Sequence, residues 1–513
     1  MTRRGKGNLR TSEMFVSRRG FLVAGAARTV GASLAGGILV FPESARWANA
    51  QEKEKDPGSG AADYVLRVGR GRMAPDGRTR DVYTYNGEIP GPVIHAKVGQ
   101  KLRVKVINEL GQPTSVHWHG MHQPGTWQMD GVADVSRPPI PDGQEFTYEF
   151  TATPAGTHWY HSHTGVQYSD GLIGPLIVEE ERPIAKYDRD VVLLINDWFL
   201  KPSEEILAGL VRPGNKDMEK ADGKKSAPAG GKGMASTSAG KPDIADVPFE
   251  SALINGTGRF GADAKAPLTT VEVRPGETLR LRLINGSSTY QFRFQIDGHP
   301  LTVIATDGAP MRPVEVDNLL LSPGERYDVL LKATSKYATW IRAITLSGGE
   351  ARAVLRYSNS QAGELMSTPV VLTKRMLTPD QMKSIGPVKL AAKPQEIKCQ
   401  LGGTMMPYKW SINEQVYPQA DTIKLPANQP VRFVIENPTG MDHPFHLHGH
   451  YFHVLGRPDT MNLTDPVQKD TVNVPAKSTL VLQWETVNPG KWFFHCHIEW
   501  HLAAGMARVI EIA

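Results

Sequence analysis

At 513 residues, with 40% hydrophobic content, 50 Gly and 38 Pro, the chain is too long for one ordinary domain and fits a turn-rich globular protein of about three. Its net charge of +5 hints at a nucleic-acid or membrane partner, but residues 1–50 alone carry +6, which leaves the remainder near −1 and implies no polyanion partner. Long 3.6-residue apolar periods are few and short alternating runs are many, so the expected class is all-β.

The first 50 residues read as an export signal. Ser17-Arg18-Arg19-Gly20-Phe21-Leu22 is a twin-arginine pattern, a weakly apolar stretch runs to Phe41, and Ala48-Asn49-Ala50 is a small-x-small cleavage pattern with Gln51 as the expected mature start. Arg28 and the many Gly and Ala residues make the stretch a poor membrane anchor. The expectation is a periplasmic or secreted protein that has met the twin-arginine export machinery and keeps no stable membrane anchor.

Three copies of one pattern follow. Leu102-Arg103-Val104-Lys105-Val106-Ile107-Asn108 alternates apolar and polar residues, as do Leu279-Arg280-Leu281-Arg282-Leu283-Ile284-Asn285 and, more loosely, Val431-Arg432-Phe433-Val434-Ile435-Glu436-Asn437. Each is the pattern of a strand with one buried face, and the spacings of 177 and 152 residues are those of β-sandwich domains. The boundaries expected are 51–185, 186–365 and 366–513. Within the second, residues 213–243 are rich in Gly, Ala, Ser and Lys and read as a surface insertion.

In the first copy, His117 and His119 stand nine and eleven residues after Asn108; in the third, His446 and His448 stand in the same places after Asn437. A second landmark agrees: Gly156 is followed at the same offsets as Gly490 by a His-x-His, His161 and His163 in one case and His495 and His497 in the other. The middle copy has Phe294 and Ile296, and Arg342-Ala343-Ile344, so it is expected to be a spacer or a substrate wall.

Because residues i and i+2 of a strand share a face, each His-x-His can aim two imidazoles at one place. A lone His-x-His is weak, but four of them matched across two domains give eight imidazoles for a cluster of several metal ions. In His495-Cys496-His497 the same geometry turns Cys496 the other way. A thiolate with two imidazoles and a weak thioether is a blue-copper set, and Cys496, His443, His501 and Met506 supply it. Zinc does not need ten histidines, a thiolate and a methionine in this order. Cys399, the other cysteine, reads as an inert buried thiol. His95, His122, His158, His299, His450 and His453 read as surface or hydrogen-bonded residues, although His122, His158 and His450 lie near the cluster motifs.

The motifs His117-Trp118-His119-Gly120, His161-Ser162-His163, His443-Pro444-Phe445-His446-Leu447-His448-Gly449 and His495-Cys496-His497, in this order, resemble those of three-domain multicopper oxidases. The resemblance covers the chain after its leader. It implies three cupredoxin-like Greek-key β-sandwiches and four copper ions: His117 and His446 on type 2; His119, His161, His163, His448, His495 and His497 on the type 3 pair; His443, Cys496, His501 and axial Met506 on type 1. It also implies an acid near the cluster, and Asp130 in Met129-Asp130-Gly131-Val132 fits, though the same residues read as an Asp-Gly turn. Glu499 is a further acid that either serves His497 or faces solvent.

The function expected is one-electron oxidation of a phenol or aromatic amine near an exposed His501 or His443, coupled through Cys496, His495 and His497 to reduction of O₂ to water. Oxidation of Cu(I) or Fe(II) is the alternative, with Met405, Met406 and Met441 or Asp442 and Asp197 as candidate contacts. A copper-binding scaffold without turnover is a third reading.

Overall fold

The structure is a computed structural model that describes residues 62–212, 245–258, 268–358, 365–366 and 375–513. The leader and the 213–243 insertion lie outside them.

The strands form six sheets, two in each of three successive stretches of chain. In residues 64–179, one sheet has the order Arg80–Tyr85, Tyr64–Met73, Lys101–Asn108, Glu145–Thr151, and the other Ile94–Lys97, Ile173–Glu179, Gly156–His161, His117–His119. The same plan recurs twice. Each repeat strand lies parallel to the strand that opens its sandwich: Lys101–Asn108 to Tyr64–Met73, Thr278–Asn285 to Arg189–Trp198, and Pro430–Asn437 to Gln395–Met405. Most pairings elsewhere are antiparallel, as a Greek-key sandwich requires.

Lys101–Asn108 and Pro430–Asn437 alternate buried with less buried residues along their whole length, as expected of a strand with one face on a core. Thr278–Asn285 departs from that expectation, because both of its faces are buried. The reason is its position between domains. Arg280 and Arg282 point away from the local core and are buried in ion pairs: Arg280 with Glu180 and Asp328, and Arg282 with Asp190. The middle sandwich is therefore held on its outer face by charge rather than by solvent.

The asparagine that ends each repeat strand does the same work three times. The side-chain amide of Asn108 donates to the carbonyls of Gln112 and Ile140, that of Asn285 to Tyr290 and Leu321, and that of Asn437 to Met441 and Val474. Its Oδ1 accepts from the backbone N–H two residues on, at Leu110, Ser287 and Thr439. A buried amide that satisfies all its partners in one loop fixes that loop. The next strands begin at His117, Phe292 and His443, and in each of them the residue nine after the asparagine, His117, Phe294 or His446, holds the equivalent position.

That next strand pairs with a later one in equivalent register. His117 faces His161, His446 faces His495 with Phe445 opposite Cys496, and in the middle copy Phe294 faces Ala343. The first sandwich has its own apolar core around Trp118, Tyr148 and Leu176. The second and third share one continuous core that reaches Cys496 and Met506.

Candidate metal centre

The hairpins of the first and third sandwiches face each other and bring eight imidazoles together. The rings of His119 and His446 stack at 3.7 Å between centroids and those of His117 and His448 at 3.9 Å. His495 Nε2 lies 3.0 Å from His448 Nε2 and 3.4 Å from His163 Nε2. The ligand atoms of His117, His119 and His161 converge, as do those of His117, His446 and His448, and those of His163, His448 and His495. His497 packs edge-on to His119 and His161.

The outer nitrogen of most of these rings is tied down. Nδ1 of His117 meets the Asp130 carbonyl at 2.8 Å, that of His161 the Ser162 carbonyl at 2.9 Å, that of His446 the Asp470 carbonyl at 2.9 Å, and that of His495 the Cys496 carbonyl at 2.8 Å. His448 Nδ1 meets Asp130 Oδ2 at 2.8 Å. A carbonyl or carboxylate partner accepts, so each Nδ1 carries the proton and each Nε2 presents a lone pair inward. His119 is turned round: its Nε2 meets the Thr471 hydroxyl at 3.1 Å, and Nδ1 points in.

The inward nitrogens are buried, and those of His117, His119, His161, His446 and His497 have no hydrogen-bond partner among the described residues. Burial also holds the imidazoles of His119, His161, His163, His448, His495 and His497 well below their usual pKa, so they are neutral. Buried lone pairs aimed at one another at about 3 Å are unfavourable unless a cation takes them. The donor set thus fits a cluster of imidazole-loving metal ions.

A second group lies on the other face of the strand Gly490–Cys496. Cys496 Sγ is 3.7 Å from His443 Nδ1 and 3.6 Å from His501 Nδ1, and those two nitrogens are 3.1 Å apart. The outer nitrogens are again occupied, that of His443 by the Thr439 hydroxyl at 2.9 Å and that of His501 by Asp246 Oδ2 at 2.7 Å. Met506 is fully buried beside them; its carbonyl accepts from the Cys496 N–H and its own N–H donates to the His501 carbonyl. Burial pushes the Cys496 thiol up, which only a cation can offset for a thiolate in this pocket.

One expectation is corrected. His443 and His501 are not exposed; both have 0% of their surface accessible. Trp410 covers His501 at 4.0 Å between ring centroids, and Asp246, whose side chain is itself buried, closes its far edge. Glu499 does not face solvent either. It is buried, bonded to the Ser169 hydroxyl, and burial raises its carboxyl well above the usual range.

Asp130 unites its two readings. It follows the single 3₁₀ turn Trp127–Met129, and its carboxylate reaches His448, with Oδ1 3.2 Å from His117 Nδ1. Gly131 after it has φ +83°, and a Cβ there would stand 1.7 Å from the Val116 carbonyl oxygen. Only glycine allows the turn to press against the histidine strand, so the Asp-Gly turn is what delivers the acid.

Several contacts carry no local signal in the sequence. Asp470 Oδ1 lies 3.4 Å from His119 Nε2 and 3.5 Å from His446 Nδ1, and both its oxygens take 2.6 Å bonds from Arg326. Asp246 stands 255 residues from the histidine it touches. Of the other acids considered, Asp197 accepts from Ser288 and Thr289, and Asp442 from Gln291, Asn473 and Ala476; both brace loops. Burial pushes Cys399 up to about 12, as an inert thiol requires.

Sequence comparisons agree with this geometry. Three multicopper oxidase family models match residues 67–183, 189–360 and 391–513. The chain is 32% identical to the multicopper oxidase MmcO of Mycobacterium tuberculosis over 96% of both chains. It is 33% identical to laccase-2 of Botryotinia fuckeliana over 87% of this chain and 81% of that one. Among solved structures, the laccase from Botrytis aclada superimposes with a TM-score of 0.74 at 31% identity over 87% of each chain. The fold of Fet3p, described as a multicopper oxidase that functions in iron import, matches with a TM-score of 0.76 at 24% identity over 88% of this chain and 90% of that one. The chain belongs to the multicopper oxidases. It is a copper-dependent oxidoreductase with O₂ as acceptor, built on three cupredoxin-like sandwiches.

Proposed function

We propose that this is a laccase-type oxidase that holds four copper ions per chain. His443, Cys496, His501 and axial Met506 would hold the type 1 ion, His117 and His446 the type 2 ion, and His119, His161, His163, His448, His495 and His497 the type 3 pair. Copper supplies the one-electron chemistry that matches four oxidations of a donor to reduction of one O₂ to two H₂O.

The observation that carries the reading is the tripeptide His495-Cys496-His497. Cys496 Sγ belongs to the group with His443 and His501, while His495 Nε2 belongs to the group with His448 and His163. Two redox sites are thereby joined by a few covalent bonds. The chain also supplies proton-handling groups. Asp130 lies against both His448 and His117, and the raised pKa of Glu499 favours its acid form.

Phenols and aromatic amines are the favoured donors. Trp410 and Asp246 pack against His501, and Asp246 Oδ1 is buried with no partner among the described residues. A phenolic O–H or an amine N–H can donate to that oxygen while its ring packs on apolar surface. Of the carboxylates, Asp246 is the one that favours Fe(II) instead, now that Asp197 and Asp442 are occupied as braces, while Met405, Met406 and Met441 stay the candidate contacts for Cu(I). The twin-arginine leader supports export to the periplasm or beyond, and no helix among the described residues is long and apolar enough to cross a membrane.

Oxygen uptake by the copper-loaded protein with a phenol, Fe(II) and Cu(I) side by side tests the reading. The phenol should give the fastest uptake, and Asp246→Asn should slow it by raising KM more than it lowers kcat. Faster uptake with either metal ion would replace the phenol-oxidase reading with the metal-oxidase one.

A further inference from the structure

Where the first and third sandwiches meet, there is a cavity of about 410 Å³. His122, His450 and Asn488 line it, and none belongs to either group described above.

The hydrogen bonds around it leave unused acceptors. Nδ1 of His450 meets the His448 carbonyl at 3.2 Å, so it carries the proton and Nε2 keeps a lone pair. Both amide hydrogens of Asn488 are spent on the carbonyls of His122 and Gly449, which fixes Oδ1 as an acceptor. His450 Nε2, Asn488 Oδ1 and His122 Nε2 are all buried and unbonded among the described residues. His450 and Asn488 are 3% and 6% exposed, so bulk water does not satisfy them. An unpartnered buried acceptor costs about 1–3 kcal/mol, and two such acceptors beside the unbonded His122 Nε2, on residues lining one cavity, call for a shared donor or a cation.

We propose that His122, His450 and Asn488 form an additional site for a borderline metal cation of the Cu(II) and Zn(II) class. Two imidazoles and an amide oxygen suit such ions, whereas Mg(II) and Ca(II) prefer sets made wholly of oxygen. The cavity leaves room for water to complete the coordination, and its mouth reaches the exposed Val487. The site is independent of the copper assignments made above.

The test is equilibrium dialysis of the fully copper-loaded protein against Zn(II), which does not displace Cu(II) from filled sites. The wild type should take up one additional equivalent. His122→Ala and His450→Gln should each weaken that uptake by about 100-fold or more, with the blue band and oxygen uptake unchanged. Zn-edge anomalous diffraction from soaked crystals should give a peak between His122 and His450. No additional equivalent, uptake unaltered in both variants, or a peak elsewhere would overturn the proposal and leave the cavity to ordered water. Should His450→Gln fail to fold, His122→Ala decides alone, since His122 is less buried than His450.

Discussion

Replacing Arg326 with Met should destabilise the copper-free protein by about 3–5 kcal/mol, the usual cost of breaking a buried ion pair from one side. Arg326 is fully buried and gives 2.6 Å bonds to both oxygens of Asp470, with further bonds to the carbonyls of Thr157, Gly324 and Asp307. It comes from the middle sandwich, and Asp470 belongs to the third. Without it, Asp470 loses its arginine partner, and among the described residues Lys469 is left as the lysine or arginine paired with Asp307 and Glu325. Against a total stability of about 5–15 kcal/mol, the loss is large. Methionine fills similar space, so the cost is electrostatic rather than a cavity. The assay is urea unfolding of four proteins: wild type, Arg326→Met, Asp470→Asn and the double variant. The double variant should be clearly more stable than the sum of the singles implies, by about 1.5 kcal/mol or more. Because Asp470 also braces His119 and His446, both single variants should bind less copper at the cluster while keeping a normal blue site. A single-variant cost below about 1 kcal/mol, or strict additivity, would refute the argument that this pair clamps the domains.

Cys496→Ser should remove the blue colour and substrate oxidation yet leave copper in the cluster, because Cys496 Sγ contacts only the His443–His501 group; absorption and copper analysis of the purified variant check this. Met506→Leu should keep the colour but raise the midpoint potential of the blue site, since losing a thioether favours Cu(I); an unchanged redox titration would make Met506 a core residue only.

Much of the architecture was legible because it is repeated. The alternating strands ending at Asn108, Asn285 and Asn437 set a ruler, and measuring from each asparagine located the histidines and showed which copy lacks them. That worked because the buried amide braces the same turn in each copy. The His-x-His pairs were legible for the same reason, since strand geometry is local. What escaped was everything that depends on packing between sandwiches. Asp246, Asp470 and Arg326 are ordinary charged residues in sequence and gain meaning only from neighbours far along the chain. The expected exposure of His443 and His501 failed likewise, because strand periodicity says which face a residue takes but not what covers that face. Residues Arg280 and Arg282 show the limit from the other side: a polar face in the pattern became a buried interface.

The division of the cluster between two sandwiches has a consequence for how the protein is made. His117, His119, His161 and His163 lie in the first third of the chain, whereas His495 and His497 lie within its last 20 residues. During synthesis the first four imidazoles emerge long before their partners, and a ribosome that stops between His448 and His495 leaves a chain that lacks the last two of the eight. A product that stops short of His497 cannot assemble the full ring of ligands, however well its first two sandwiches fold. Completion of the cluster therefore reports that the chain has been translated through His497 and that its first and third sandwiches have met.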